Sequence, residues 1–175
     1  AILQGVSDFS GEKNLLIIHG TTVATNALLE RKGGPIALIT TAKFEDVLFI
    51  ARQTRKHLYS LAGEDRLPLL PRSHCFGVSE RTEPDGTISL ELDLEDLAPL
   101  LERIRKIKAS AVAVCLIHSY ANPAHEKAIE DFLGTHGFMT SVSSRLLPEH
   151  REYERTAVTT VNAYLMPIVS RYIGT

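Results

Sequence analysis

Apolar residues follow two rhythms along this chain. Unbroken runs at 15–18 (LLII), 36–39 (IALI) and 111–117 (AVAVCLI) suit strands buried on both faces of a sheet. Between them apolar positions recur every three or four residues, as in Ala24, Ala27 and Leu28, then Phe44, Val47, Leu48 and Ala51. The same spacing returns in Leu94, Leu97, Leu100, Leu101, Ile104 and Ile107, and in Ala124, Ala128, Ile129 and Phe132. Each set draws one stripe along an amphipathic helix. Residues 138–142 supply a further strand, and a long last helix opens between Glu149 and Glu152 and runs toward Ile173. Pro167 inside that helix predicts a kink or break.

The stretch 74–92 has a different pattern. Phe76, Val78 and Glu80 precede Glu83-Pro84-Asp85-Gly86, after which Ile88, Leu90 and Leu92 alternate with polar residues. An Asp-Gly turn between alternating segments predicts an antiparallel hairpin. The element order is therefore β-α-β-α, a hairpin, then α-β-α-β-α, with connections long enough for right-handed crossovers. This is an α/β fold, a mainly parallel sheet with flanking helices and an inserted antiparallel β-hairpin, in one domain over 1–175.

Composition adds mostly exclusions. Of 175 residues, 44% are hydrophobic and 23% charged, which is ordinary for a globular domain, and a net charge of −2 gives no general attraction to nucleic acid or anionic membrane. No apolar stretch approaches the ~20 residues that span a bilayer. Cys75 and Cys115 lack metal-finger spacing, and two thiols in a chain of this size fit a reducing compartment, so the cytoplasm is expected. The first residues carry no signal-peptide pattern, and the missing initiator Met suggests an excised segment.

Candidate chemistry gathers at strand ends. The first strand stops at His19-Gly20 and passes through Thr21 and Thr22 into a helix; Gly20 permits a tight turn, and Thr21, Thr22 or Thr25 can cap the helix. The second ends in Thr40-Thr41 and the run at 111–117 in His118-Ser119-Tyr120. In a parallel sheet these ends share one edge, where ligands bind. His19 and His118 can each serve as acid, base or orienting donor; His19 is the catalytic candidate, and Gly20, Thr21, Thr22, Asn26 and His118 are candidates for binding an anion or polar substrate. A second cluster, SRLLPEHREYERT at 144–156, reads as a salt-laced helix start or as an anion clamp through Arg151 and Arg155. Arg52, Arg55, Lys56 and His57 read as a solvated basic helix face or as a grip on a carboxylate or phosphate. No spacing marks a metal site.

With these residues in view, the chain resembles the N-terminal region of the hydantoinase A and 5-oxoprolinase family. The stretches that carry the resemblance are HGTTVATNALLERKGG from His19, TTAKFEDVLFIARQ from Thr40, VSERTEPDG from Val78, AVAVCLIHSYANPAHE from Ala111 and LLPEHREYERTAVTTVNAYL from Leu146. The resemblance implies part of an actin-like ATPase-type domain, using ATP and Mg2+ to phosphorylate the carbonyl oxygen of a cyclic amide such as hydantoin or 5-oxoproline. It also implies a second hydantoinase B-type subunit or domain as partner; self-association into a homo-oligomer stays open. Family members ordinarily carry a DxGGTFTD phosphate loop upstream of HGTT, and none precedes Leu15, so a domain fragment inactive by itself is expected. The competing reading is a noncatalytic assembly module that docks a partner through the hairpin and the leucine-striped helix.

Overall fold

Side-chain alternation along the strands decides where the core sits. The computed structural model describes residues 22–54 and 68–174. Its strands, in chain order, are β1 (Ile36–Thr41), β2 (Cys75–Val78), β3 (Arg81–Thr82), β4 (Ile88–Leu90), β5 (Ala111–Cys115) and β6 (Thr140–Val142). The helices are α1 (Val23–Leu29), α2 (Val47–Ile50), α3 (Leu97–Lys106), α4 (Ala124–Thr135), α5 (Ser143–Leu146) and α6 (Glu152–Ile173). A parallel sheet in the order β2-β1-β5-β6 forms the centre, and β3 pairs antiparallel with β4 beside it.

Both faces of the sheet are covered, which is why its strands read as continuous apolar runs. Ala37, Ile39, Val112 and Val114 turn to one face and pack with Leu97, Leu100, Leu101 and Ile104 of α3 and with Ile129 and Leu133 of α4. Ile36, Leu38, Ala111, Ala113 and Cys115 turn to the other, against Ala163 and Tyr164 of α6, Leu28 of α1, and Leu48 and Phe49 of α2. The leucine stripe of α3 is thus spent inside the domain. It leaves no apolar face on that helix for a partner, although Leu90 and Leu94 nearby are about half exposed.

Three expectations change. Phe76 and Val78 do not belong to the hairpin: β2 joins the main sheet parallel to β1, with Ile39 opposite Phe76 and Thr41 opposite Val78. Only Arg81–Thr82 and Ile88–Leu90 pair as the hairpin, closed at Glu83-Pro84-Asp85-Gly86 with Gly86 at φ +87°. Alternation in 76–80 comes from an edge strand that runs straight into the hairpin, so one period hides two elements. The helix α6 runs unbroken through Pro167. Thr22 occupies the cap position of α1 but its side chain makes no capping bond. The predicted strand at 15–18 and the basic residues Arg55, Lys56 and His57 lie outside the described residues. Arg52 pairs with Glu154 at 2.6 Å.

Both cysteines are buried and unpaired. Burial pushes the Cys75 thiol up to about 11 against the opposing pull of Arg72, and burial likewise raises Cys115. Only about one Cys75 in a thousand is thiolate at pH 8, and the thiolate is the nucleophile. We therefore expect a colorimetric disulfide reagent to label neither thiol at pH 8 until denaturant is added; rapid labelling of the folded protein would contradict this packing.

Candidate functional site

A buried polar network lies at the C-terminal edge of the parallel sheet, where β1, β5 and β6 end. Thr41 donates its hydroxyl hydrogen to Glu80 and accepts the Ile117 N–H at 3.0 Å, which ties the ends of β1 and β5 together. Glu80 also faces His125, whose Nδ1 lies 2.8 Å from its second oxygen, while His125 Nε2 lies 3.3 Å from Glu91. Glu80 precedes the hairpin and Glu91 follows it, so one imidazole on α4 holds both of its ends.

Further along the edge, Glu126 accepts the Leu116 N–H at 2.8 Å, the Ser143 hydroxyl at 2.6 Å and the Ser144 N–H at 2.8 Å. Those donors fix the start of α5 onto the end of β5. Arg155 closes the cluster from the first turns of α6, its Nη2 donating to the Leu116 carbonyl at 2.9 Å, to Ser143 Oγ at 2.7 Å and to Ser119 Oγ. The Arg155 and Glu126 side chains are both fully buried, with Nη2 3.9 Å from Oε1. Among the described residues Arg155 Nε and Nη1 have no hydrogen-bond partner, and the Tyr120 ring lies 5.4 Å from the guanidinium carbon. A buried charge of this kind is held by its counter-charge and its hydrogen bonds together.

The candidates named from the sequence fall in different places. His19, Gly20 and Thr21 lie outside the described residues. Thr22 and Asn26 are exposed at the start of α1, and Asn26 donates from its amide nitrogen to Thr22 Oγ1 at 3.4 Å, leaving the threonine hydroxyl hydrogen to point elsewhere. His118 is half-buried in the turn after β5, at φ +55°, with Nδ1 2.9 Å from the Thr82 carbonyl and its ring edge-on to Tyr120. A carbonyl only accepts, so Nδ1 carries the hydrogen and Nε2 keeps the lone pair in the neutral ring. Among the described residues no hydrogen bond joins Thr22 or Asn26 to His118. The Thr40-Thr41 pair is buried rather than lining an open cleft.

Glu126, Glu80 and His125 were not singled out by the sequence, and Arg155 stood out only within a salt-laced helix start or anion clamp, whereas the structure buries it against Glu126. The signal existed in α6, where Arg155, Thr156, Thr159, Thr160, Ala163 and Tyr164 make one buried helical face. Because that face is mostly polar or small, a search for apolar periodicity passes over it. Two of its threonines satisfy their hydroxyls on the preceding turn, Thr156 on the Glu152 carbonyl and Thr159 on the Arg155 carbonyl, each at 2.7 Å.

A parallel sheet covered by helices on both faces makes this an α/β domain, with a buried polar network at its C-terminal edge. The profile of the Hydantoinase/oxoprolinase N-terminal region matches residues 2–137, and the chain belongs to that family. It is 37% identical over 175 residues to 5-oxoprolinase 1 of Arabidopsis thaliana, covering 89% of this chain and 14% of that protein. With the acetophenone carboxylase gamma subunit of Aromatoleum aromaticum it shares 35% identity over 174 residues, 91% of this chain and 24% of the subunit. Its structure matches that of ATP-dependent caprolactamase from Pseudomonas jessenii with a TM-score of 0.84 at 29% identity, over 99% of this chain and 27% of the other. The mainly parallel sheet with flanking helices and an inserted hairpin, of the actin-like ATPase type, is the fold expected from the sequence. The chain thus spans between 14% and 27% of the length of these relatives. Among the described residues no helix is long and apolar enough to cross a membrane.

Proposed function

We propose that this chain is part of an ATP-dependent hydrolase that opens cyclic amides of the hydantoin or 5-oxoproline type by phosphorylating the carbonyl oxygen. The observation that carries the reading is the polar C-terminal sheet edge in a chain whose fold matches an ATP-dependent caprolactamase. An unstrained amide is a poor electrophile, and a phosphorylated oxygen is a far better leaving group, so the chemistry needs a site that holds both a phosphoryl donor and a neutral ring.

In this reading His19 orients the reacting groups or transfers a proton, and Gly20, Thr21, Thr22, Asn26 and His118 bind substrate or nucleotide. The Thr22 hydroxyl donates, the Asn26 amide oxygen accepts, and His118, fixed through Nδ1 on the Thr82 carbonyl, offers Nε2 as an acceptor. The Glu126 and Arg155 cluster positions the turn that carries His118. Mg2+ accompanies ATP in the reading, but among the described residues no group of three or more His, Cys, Asp or Glu gathers as a metal site. The Glu126 oxygens are already occupied by N–H and O–H donors. Among the described residues none is assigned to the ion. A hydantoinase B-type subunit or domain is the partner we propose, as the relatives include a subunit of a carboxylase.

The test measures ADP release with hydantoin, 5-oxoproline or caprolactam, for this chain and for a longer chain that carries an upstream DxGGTFTD segment. Amide-dependent release is expected from the longer chain, and His118→Ala in it, which removes the Nε2 acceptor, is expected to raise KM for substrate or nucleotide about 10-fold with the fold intact. No amide-dependent release from the longer chain with its partner subunit present would overturn the reading.

A further inference from the structure

Three side chains between the end of β5 and the start of α4 grip the hairpin. His118 Nδ1 lies 2.9 Å from the Thr82 carbonyl in β3, and Asn122 Nδ2 donates to the Gly86 carbonyl at the hairpin tip at 2.9 Å. His125 reaches Glu80 and Glu91, which flank the two strands. The tip also packs closely on the turn after β5, since a Cβ built on Gly86 would lie 3.3 Å from the Ala121 carbonyl oxygen. Pairing within the hairpin is slight: β3 has 2 residues, β4 has 3, and the register shifts between Arg81 and Thr82. An isolated hairpin is marginal at best, so these grips set where its carbonyls stand. His118 in turn sits at φ +55°, in the left-handed region where a side chain persists only when its surroundings hold it. The Ala121 and Asn122 N–H groups close the turn on the His118 carbonyl at 2.8 and 3.3 Å.

We propose that Asn122 is a positioning residue: by holding the Gly86 carbonyl it seats the hairpin so that the Thr82 carbonyl keeps the neutral His118 ring in its Nδ1–H form, with Nε2 as the acceptor. Which imidazole nitrogen carries the hydrogen is set by the bond the other nitrogen's neighbour offers, and a carbonyl can only accept. The Asn122 amide does two things at once. Its oxygen accepts the Ala124 N–H at 3.1 Å and so starts α4, while its nitrogen takes the hairpin. An aspartate keeps the first bond and loses the second, which separates the hairpin grip from the helix start. The functional half of the inference rests on the reading of His118 as a residue that binds substrate or nucleotide; the tautomer half does not.

The test records nitrogen NMR spectra of the sedimented full-length protein that contains this chain, labelled at its histidine rings and held at alkaline pH, with His118 assigned by its loss in His118→Ala. The wild type is expected to show a protonated Nδ1 and a lone pair on Nε2. Asn122→Asp is expected to shift His118 toward the Nε2–H form and to raise KM for cyclic amide or ATP about 2- to 10-fold with kcat nearly unchanged. In the His118→Ala background the same change is expected to add nothing to KM, since it acts through that ring. Thermal melts monitor folding, and Gly86→Ala, which crowds the tip against Ala121, replaces Asn122→Asp where the melt is lowered. An Nε2–H ring in the wild type, or a tautomer unmoved by either variant, overturns the inference. So does a further rise in KM when Asn122→Asp is added to His118→Ala. A shifted tautomer with KM unaltered in every variant upholds the positioning and overturns the binding role of His118.

Discussion

Glu126→Ala is expected to cost about 3–5 kcal/mol of folding stability, read as a fall in the urea midpoint with little change in slope. The carboxylate neutralises Arg155 inside a site where neither side chain touches water, and it receives the Leu116 N–H, the Ser143 hydroxyl and the Ser144 N–H. Removing it leaves a buried guanidinium whose Nε and Nη1 already lack partners among the described residues, and strands two backbone donors as well. A domain of this size has roughly 5–15 kcal/mol in total, so the variant approaches unfolding. Arg155→Met is expected to be comparably harmful alone. Combining Arg155→Met with Glu126→Leu is expected to cost much less than the sum, because the double change leaves no uncompensated charge. A loss below about 1 kcal/mol for Glu126→Ala would mean that water reaches the cluster.

The second large effect is expected at Gly33. Its N–H donates to the Tyr164 hydroxyl at 2.7 Å, and the backbone lies so close to the ring that a built Cβ would overlap Tyr164 Cζ and Cε2. Tyr164 is itself 4% exposed in the core beneath β1, so it has no room to retreat. Gly33→Ala should therefore cost about 1–3 kcal/mol by overpacking, seen as a lower melting temperature. Tyr164→Phe alone removes only the hydrogen bond and is expected to cost about 0.5–1.5 kcal/mol. Additive losses in the Gly33→Ala, Tyr164→Ala double variant would refute the contact, since relief of the clash requires the pair to be less damaging together.

What the sequence determined by itself is the repeating part. Apolar runs fixed β1 and β5, three-and-four spacing fixed α3 and α4, and the Asp-Gly turn fixed the hairpin tip, because each reflects a local period set by backbone geometry. Long unusual strings such as HGTTVATNALL carry the family resemblance without any tertiary information. The candidate site was legible only in part: His118 was recognised as a polar strand end, but not as the ring that takes the Thr82 carbonyl.

Tertiary structure alone decided the rest. It assigned Phe76 and Val78 to the main sheet rather than the hairpin, because pairing with β1 depends on a neighbour some forty positions away. It turned Arg155 from a residue of a charged helix start into the buried partner of Glu126. Polar residues carry no burial signal of their own in a sequence. Whether such a group meets water or a counter-charge is set by elements that only folding brings together.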